Sequence, residues 1–317
     1  MKNFIIPAFL LLIAVPVFGG TKVRTAKVGS RTFVYLQDIA AYYGYKYIKL
    51  GDDEYRLQYG RRYFDFSTKK KTVKANGIIL YVNDTPRNKN GHVIISYDDL
   101  KLQFDSLLRV QKNGKNFAPK IIVIDPGHGG KDSGAIGKRL QEKDINLTVS
   151  KYLKAYLQKC GYKVFMTREG DKFLELEERA AFAKKVKADL FISIHANKAK
   201  ATSAAGIETF QLTPLGKASA SGTKRSQKGS GGKYHRYNAR LAYEIQRELI
   251  SITKRKDRGV KYGNFSVLRN SPCPAVLVEL GFLSNSLEEK RLTSVKEHKR
   301  MALSIARGVV FYHRSMK

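Results

Sequence analysis

Cysteine is scarce in this chain, whose 317 residues include only Cys160 and Cys273. Two cysteines so far apart in sequence do not predict the disulfide framework that stabilises small secreted domains. The two could pair in an exported protein, and their apolar neighbours fit two buried thiols equally well. The length allows two ordinary domains, and a hydrophobic content of 43% is compatible with properly buried cores.

The apolar run near the start of the sequence, Phe4 to Phe18, is too short for a spanning helix, which needs about 20 apolar residues. It is also interrupted by Pro7 and Pro16. The run follows a weakly positive start and ends in small residues, so we predict a signal peptide, residues 1–19, cleaved after Gly19. A retained anchor is the alternative. No cysteine follows the run, so lipoprotein processing is not indicated. We expect a periplasmic or cell-wall-associated protein without a stable membrane span after cleavage.

Acidic residues are few beside basic ones, with 27 Asp and Glu against 59 Lys and Arg and a net charge of +32. Such a charge favours an anionic partner, and nucleic acid, an acidic membrane surface and acidic cell-envelope polymers all qualify. The excess is spread along the chain rather than concentrated in one patch. Together with the export signal and the lack of a nucleic-acid-binding motif, this argues against nucleic acid. A generally solvated basic surface explains the charge equally well.

Residues 20–113 predict a small, mostly β domain. Short aromatic and β-branched runs, separated by Gly, Asp and Asn, are typical of strands joined by turns. The predicted strands cover Phe33–Leu36, Tyr55–Tyr59, Tyr63–Phe66 and Ile78–Val82, with a short helix over Leu36–Tyr43. The order of these elements resembles the copper-amine-oxidase N-terminal-like modules of exported cell-wall proteins.

Three tyrosines of this region, Tyr42, Tyr43 and Tyr45, could stack on sugars. Aromatic residues in small β modules nevertheless belong more often to the core. The one histidine of the region, His92, has no cluster of further ligands around it in sequence, so we assign no metal here.

After a polar junction, residues 110–116, the pattern changes to alternating strands and helices, which predicts a separate domain over residues 118–317. Such alternation implies an α/β fold with a mostly parallel sheet covered by helices on both faces. The predicted strands are Ile121–Ile124, Lys163–Met166, Leu190–Ile194, Ile207–Leu212, Ser266–Leu268 and Ala275–Leu280. The predicted helices are Asp144–Cys160, Leu174–Lys187, Asn238–Ile252 and Leu287–Tyr312, the last with a capping box of Ser286 and Glu289.

One segment of this domain, residues 216–232, is rich in Ser, Gly and Lys and has no apolar periodicity. It predicts a long loop. The loop is either a surface insertion or a mobile cover beside the active site.

Histidines follow two of the predicted strands. Strand Ile121–Ile124 ends in a Pro/Gly turn that carries His128, and His195 comes directly after Leu190–Ile194. One histidine in a glycine-rich turn is often only a hydrogen-bonding turn residue. Chemistry in open α/β sheets, however, is concentrated where strands end, and two such histidines favour a site there.

Two glutamates complete the candidate set. Glu279 lies inside the apolar strand Ala275–Leu280, where a carboxylate is costly unless it is paired, metal-bound or kept for proton transfer. Glu142 precedes the first helix of the domain and is near His128 in sequence, although an acid at a helix start is also favoured by the helix dipole alone.

Two neutral imidazoles and one carboxylate are the ligand set of a catalytic zinc, which leaves a position open for water. A zinc-bound water with a pKa of about 7 is a usable nucleophile for amides if another carboxylate transfers its proton to the leaving amine. Glu279 can fill that role. The spacing of His128, Glu142 and His195 is too long for the helical H-E-x-x-H arrangement, so separate strand ends and loops must supply the ligands.

These residues lie in a series of motifs over residues 118–313 that resembles the zinc-dependent N-acetylmuramoyl-L-alanine amidases. The motifs are Ile124–Ala135, Glu142–Leu147, Glu178–Asn197, Asp257–Lys261 and Pro274–Asn285. The resemblance implies Zn²⁺ held by His128, Glu142 and His195, with Glu279 as catalytic acid/base. It also implies a role for Arg179 at the catalytic site, lining it or supporting its ligands. The implied reaction is hydrolysis of the peptidoglycan amide between the lactyl group of N-acetylmuramic acid and L-alanine.

Two departures from the family pattern stand out. Family members often have a further glycine and a longer loop before the ligand glutamate, whereas here only Gly137 to Gln141 intervene, so the loop conformation is open. Some relatives also carry a blocking helix after the second histidine. This chain has the loop of residues 216–232 in that region, so its sequence does not support autoinhibition.

Three other functions are alternatives to a secreted zinc amidase. A wall-binding or scaffolding protein with an inactive amidase-like domain would not need all four site residues. A nucleic-acid binder is suggested by charge alone. A glycosidase would use a pair of carboxylates and leave both histidines without a role.

Overall fold

The computed structural model describes residues 23–109, 117–219 and 227–316. The predicted signal peptide, the junction and the middle of the predicted loop lie outside these residues. The strands of the first part are β1 (Thr25–Val28), β2 (Arg31–Tyr35), β3 (Lys46–Lys49), β4 (Glu54–Tyr59), β5 (Arg62–Ser67), β6 (Thr72–Ala75), β7 (Ile78–Tyr81), β8 (Arg87–Lys89) and β9 (His92–Ser96). Those of the second part are β10 (Ile121–Pro126), β11 (Lys163–Met166), β12 (Leu190–Asn197), β13 (Ile207–Leu212), β14 (Asp257–Gly263) and β15 (Ala275–Phe282).

Helices accompany both sets of strands. They are α1 (Leu36–Tyr43), α2 (Tyr97–Asp99), α3 (Asp105–Leu108), α4 (Glu142–Lys159), α5 (Leu176–Lys185), α6 (His235–Thr253), α7 (Ser266–Arg269), α8 (Ser286–Leu292) and α9 (Val295–Met316). A π-helical turn, Leu100–Phe104, joins α2 to α3, and a 3₁₀ turn, Ser230–Tyr234, precedes α6.

The described strands of the second part form one side of a large sheet in the order β11-β10-β12-β15-β13-β14. Neighbours in this order are parallel except β13 and β15, which are antiparallel. Helices α4, α6 and α9 cover one face, while α5 and α7 pack on the other around Phe191, Phe210 and Leu277. The predicted α/β class with a mostly parallel sheet is therefore confirmed.

Local sequence explains the central elements. Strand β10 is a β-branched run buried on both faces, as expected for an interior parallel strand. Helix α4 buries Ile145, Val149, Leu153 and Leu157, whose spacing places them on one side. This regular packing leaves the end of β10 and the start of α4 at the same edge of the sheet.

The structure corrects three assignments of the sequence analysis. Ser266–Leu268 is not a strand but part of α7, because a three-residue segment is too short to establish a period. Strand β14 was not predicted. The last predicted helix is two helices, α8 and α9, and the residue that caps α8 is Asn285 rather than Ser286, since the Asn285 side chain accepts hydrogen bonds from Leu287 N and Glu288 N.

The first part is mostly β, with a four-stranded sheet in the order β1-β2-β9-β8 and a meander of β3 to β7. The meander extends the large sheet, because β7 pairs in parallel with β14 through Leu80 and Val260. Two hydrogen bonds flank this pairing, from Asn76 Nδ2 to the Tyr243 hydroxyl (2.8 Å) and from Ile79 N to the Asp257 carboxylate (2.9 Å).

The three tyrosines considered for sugar stacking are partly or fully packed. Tyr45 is buried and donates to Leu108 O, while the half-buried Tyr43 donates to Asp105 Oδ1 at 2.6 Å. Tyr42 is half-buried and meets the Tyr43 ring edge to face. The core interpretation is therefore the better one for Tyr45.

Both cysteines are free thiols. Cys273 is buried, and burial raises the pKa of its thiol to about 12. Cys160 is exposed at the end of α4, so the expectation of an apolar setting is wrong for this residue. None of the helices in the described residues is long and apolar enough to cross a membrane.

A substitution at Gly259 tests the close pairing of β14 with β7. It has a φ of +87°, and an added Cβ would lie 2.7 Å from Ile79 O. Gly259→Ala should lower the free energy of unfolding by about 2 kcal/mol or more, because left-handed strain alone costs about 1–3 kcal/mol. Urea unfolding measures this, with Gly51→Ala as the matched control, since Gly51 has an ordinary φ and open space around it. An equal loss of stability in the two variants would contradict the close approach of Gly259 to Ile79.

Candidate active site

Four of the residues singled out in the sequence lie at one edge of the sheet. His128 follows the end of β10, and His195 lies near the end of the adjacent parallel strand β12. On the next strand, Glu279 is the register partner of His195. Register partners project to the same face, so the two side chains share one side of the sheet. Glu142 is the first residue of α4 and reaches the same edge.

His128, Glu142 and His195 form a compact group that could hold a metal ion, with one potential ligand atom of each within 4.8 Å of the others. Glu142 Oε1 lies 3.2 Å from His128 Nε2 and 2.9 Å from His195 Nδ1. The two imidazole rings meet edge to face with centroids 5.0 Å apart. One carboxylate oxygen is thus shared between two imidazole nitrogens.

Glycines allow the turn after β10 to approach these side chains closely. A Cβ on Gly127 would lie 2.2 Å from His195 Cε1, and one on Gly134 would lie 2.6 Å from His128 Cδ2. His128 itself has a φ of +62°, an uncommon conformation for a residue with a side chain. The neighbouring Asp132 holds its ring, since Asp132 Oδ2 lies 2.7 Å from His128 Nδ1. Asp132 therefore fixes the orientation of the ring so that His128 Nε2 faces Glu142.

Glu142 is buried and hydrogen-bonded by backbone amides from both sides. Its Oε2 accepts from Ala135 N at 2.8 Å, and its Oε1 accepts from Ala196 N at 3.1 Å. Burial by itself would raise the pKa of this carboxyl. The hydrogen bonds and positive charge of His128 and His195 outweigh burial, so the pKa of Glu142 lies below its ordinary value. Glu142 is accordingly an anion at neutral pH, as a metal ligand must be.

Glu279 has the opposite electrostatic setting. Its side chain is buried, and its Oε2 has no hydrogen-bond partner among the described residues. Burial raises the pKa of this carboxyl well above its ordinary value, and the negative charges of Glu142 and Glu208 raise it further, while Lys261 opposes them. Two carboxyls with pKa values shifted in opposite directions suit a division into ligand and proton carrier.

Arg179 lies beneath the turn that carries His128. Its guanidinium donates to Asp125 Oδ1 and to Pro126 O, both at 2.9 Å, and to His128 O at 3.1 Å. The buried Asp125 also accepts from Ser193 Oγ. Arg179 therefore braces the backbone on which His128 stands, and it also lines the cavity in front of the site.

Sequence reasoning missed Glu208 and its partners. Glu208 is the register partner of Glu279 on β13 and is buried. Its Oε2 accepts from Arg258 Nε at 2.8 Å and Lys261 Nζ at 2.5 Å, and its Oε1 accepts from Asn197 Nδ2 at 3.0 Å. Glu208 lies in Ile207–Leu212, where Thr209 and Gln211 are also polar, so the apolar context that identified Glu279 was missing. Asp132 carried no such signal either.

A cavity of about 670 Å³ opens onto these groups. The histidines, Glu142 and Glu279 belong to its lining, and apolar side chains form much of the remainder. These are Phe173, Leu174, Phe265, Val267 and Leu277. The site thus combines a few convergent polar groups with an apolar wall, as is typical of ligand pockets.

The short connection before Glu142 has a defined conformation. Gly137 N donates to Leu140 O at 2.9 Å, which closes a tight turn. Glu289 of α8 accepts from Arg139 N at 2.6 Å and from Leu140 N at 3.2 Å. A Cβ on Gly137 would lie 2.3 Å from Glu289 Oε1, so the glycine permits this contact. The turn therefore leads directly into α4 and presents Glu142.

Comparisons with known proteins agree with this arrangement. The chain is 42% identical over 194 residues to the uncharacterized protein YqiI of Bacillus subtilis, a match covering 61% of this chain and 85% of YqiI. It is 37% identical over 195 residues to the N-acetylmuramoyl-L-alanine amidase LytC of the same organism, covering 62% of this chain but 36% of LytC. The catalytic domain of the amidase CwlV from Bacillus (Paenibacillus) polymyxa superposes with a TM-score of 0.52 at 35% identity, covering 61% of this chain and 97% of that domain.

The model of one protein family matches residues 122–310, which include His128, Glu142, His195 and Glu279. That span is more than half of the chain, and it begins in β10 and ends in α9. The chain therefore belongs to the N-acetylmuramoyl-L-alanine amidase family described by that model.

Proposed function

We propose that this protein is a zinc-dependent peptidoglycan amidase that cleaves the bond between N-acetylmuramic acid and L-alanine. The observation that carries the proposal is the convergence of His128, Glu142 and His195 beside the buried Glu279. Family membership supports the choice of substrate, since LytC and the CwlV catalytic domain are named N-acetylmuramoyl-L-alanine amidases.

The residues present fit a zinc ion. Two imidazoles and a carboxylate are a catalytic zinc ligand set, and Glu142 is held in its anionic form. The carboxylate of Asp132 behind His128 is the kind of partner that orients a ligand histidine. When bound, zinc would supply Lewis-acid chemistry by polarising the amide carbonyl and lowering the pKa of a coordinated water.

Glu279 is proposed as the proton carrier. It lies beside His195 on the next strand, so its carboxyl can receive the proton of the attacking water and deliver it to the leaving nitrogen. Burial raises the proton affinity of Glu279, which favours holding that proton until the amine departs. Arg179 is proposed to act by bracing the His128 turn and lining the site.

The proposed location is the periplasm or the cell wall, where peptidoglycan is found. A net charge of +32 would attract anionic envelope polymers and raise the rate of encounter with an insoluble substrate. Binding of the purified protein to isolated envelope should weaken as salt is added, because screening shortens the range of such attraction.

Mass analysis of products tests the proposed reaction. Purified peptidoglycan incubated with the protein should release intact stem peptides with free L-alanine amino groups. Removing metal with a chelator should abolish the release, and added zinc should restore it. Products cut within the glycan or within the stem, or full activity after chelation, would contradict the proposal.

A substitution at Asp132 tests whether this carboxylate orients the His128 ring for metal binding. Asp132→Ala should weaken zinc binding about 10–100-fold, because His128 loses the carboxylate that fixes its ring. Competition with a chromophoric chelator measures the change. Glu177→Ala, which removes an exposed acid on α5, is the matched control and should bind zinc as the wild type does. An unchanged affinity in Asp132→Ala would show that the ring needs no such support.

A further inference from the structure

A second cavity, of about 1010 Å³, lies where the N-terminal strands meet the rest of the chain. Its lining comes from the start of β2, the segment between β7 and β8, α2, residues 215–219 and Tyr262 of β14. No step of the proposed reaction uses it. Its lining is mainly polar, unlike that of the cavity beside Glu279.

Positive charge exceeds negative charge in this lining, where four basic side chains accompany Asp84 and Asp98. Arg31 pairs with Asp84, and Lys217 Nζ lies 3.1 Å from Asp98. The other two basic residues, Lys71 and Arg87, are exposed and have no ion pair in the described parts of the chain. The cavity therefore carries uncompensated positive charge that a carboxylate could neutralise.

Aromatic and hydroxyl groups accompany these charges. The half-buried rings of Tyr81 and Tyr97 offer apolar faces, and Ser30 and Thr32 offer hydroxyls. The carboxylate of Asp84 is buried and paired with Arg31 and Lys217, so it does not offset the charge of Lys71 and Arg87. Aromatic faces, hydroxyls and basic side chains together match a carbohydrate that also bears carboxylates.

The second cavity is connected to the proposed catalytic site along the sheet. Lys261 Nζ lies 2.5 Å from Glu208 Oε2 and 5.3 Å from the centroid of the Tyr81 ring, which lines the cavity. Glu208 is in turn the register partner of Glu279. From β15 to β7 there are three strand spacings, about 14 Å at roughly 4.8 Å each. The second cavity and the proposed catalytic site therefore involve strands that lie close together in one sheet.

The chemistry of the proposed reaction identifies the ligand. Hydrolysis breaks the amide C–N bond and adds the water oxygen to the carbonyl carbon of the lactyl group, which becomes a carboxylate. The amino group of L-alanine leaves in its protonated form. Every cleaved muramic acid thus gains a free lactyl carboxylate, and the glycan strand becomes a polyanion. We propose that the second cavity binds this peptide-free glycan strand through Lys71 and Arg87 and so retains the processed polymer. The proposal rests on the proposed function.

Equilibrium binding to soluble oligosaccharides tests this site with the full-length protein. The probes are peptide-free muramic acid-containing glycan, an uncharged N-acetylglucosamine oligosaccharide of equal length, and free stem peptides. The peptide-free glycan should bind at least tenfold more tightly than the other two probes, and the preference should shrink with added salt. None of these probes contains the scissile amide, so turnover does not interfere.

Charge-reversal variants test whether the glycan binds at the second cavity. The double variant Lys71→Glu with Arg87→Glu should weaken glycan binding at least fivefold. Lys46→Glu with Lys101→Glu makes the same change in net charge at exposed positions outside the cavity and should bind like the wild type. Thermal unfolding of both variants verifies that they fold.

Equal binding of the uncharged oligosaccharide, preferential binding of stem peptides, or equal losses in the two double variants would overturn the inference. Product analysis separates it from the proposed function. A protein that releases stem peptides but binds no glycan fails only the inference, whereas one that releases none fails the proposed function itself.

Discussion

The structure depends on the carboxylate of Glu142, which lies between His128 of the turn after β10 and His195 of β12. A buried anion is costly unless it is compensated, and here two imidazoles and two backbone amides compensate it. Those amides belong to Ala135, in the connection between His128 and α4, and to Ala196, directly after His195. Satisfying this one anion therefore brings the turn after β10, the end of β12 and the start of α4 to a common point.

Buried acids also lie on the neighbouring strands of the sheet, and they differ in how far they are compensated. Glu279 and Glu208 are two further buried acids on adjacent strands, but only Glu208 is compensated, by Arg258 and Lys261. Among the described residues, one oxygen of Glu279 has no hydrogen-bond partner, and burial together with the charges of Glu142 and Glu208 raises the pKa of its carboxyl. Lys261 also reaches the ring of Tyr81, so the N-terminal strands are in contact with the charges that surround the site.

Much of the catalytic-site region could be predicted from the sequence, because the patterns that identify its strands and side chains are local. The β-branched run of β10 and the turn after it predicted both a strand and His128, and a lone acid among apolar residues predicted Glu279. Glu208 lacked that signal, because Thr209 and Gln211 make its strand half polar, and its partners Arg258 and Lys261 lie on β14, which was not predicted. The pairing of Leu80 with Val260 joins segments about 180 residues apart, and no local pattern specifies it. The three residues Ser266–Leu268 were too few to distinguish helix from strand.

The central claim is that Glu279 moves protons while the neighbouring triad holds the metal, and the variant Glu279→Gln tests it most directly. Glutamine preserves the shape of the side chain but cannot carry the proton. Zinc content should stay at the wild-type level while release of stem peptides from peptidoglycan falls at least about 100-fold, the range of a lost general acid/base. Near-normal release, or loss of zinc together with activity, would contradict this division of roles.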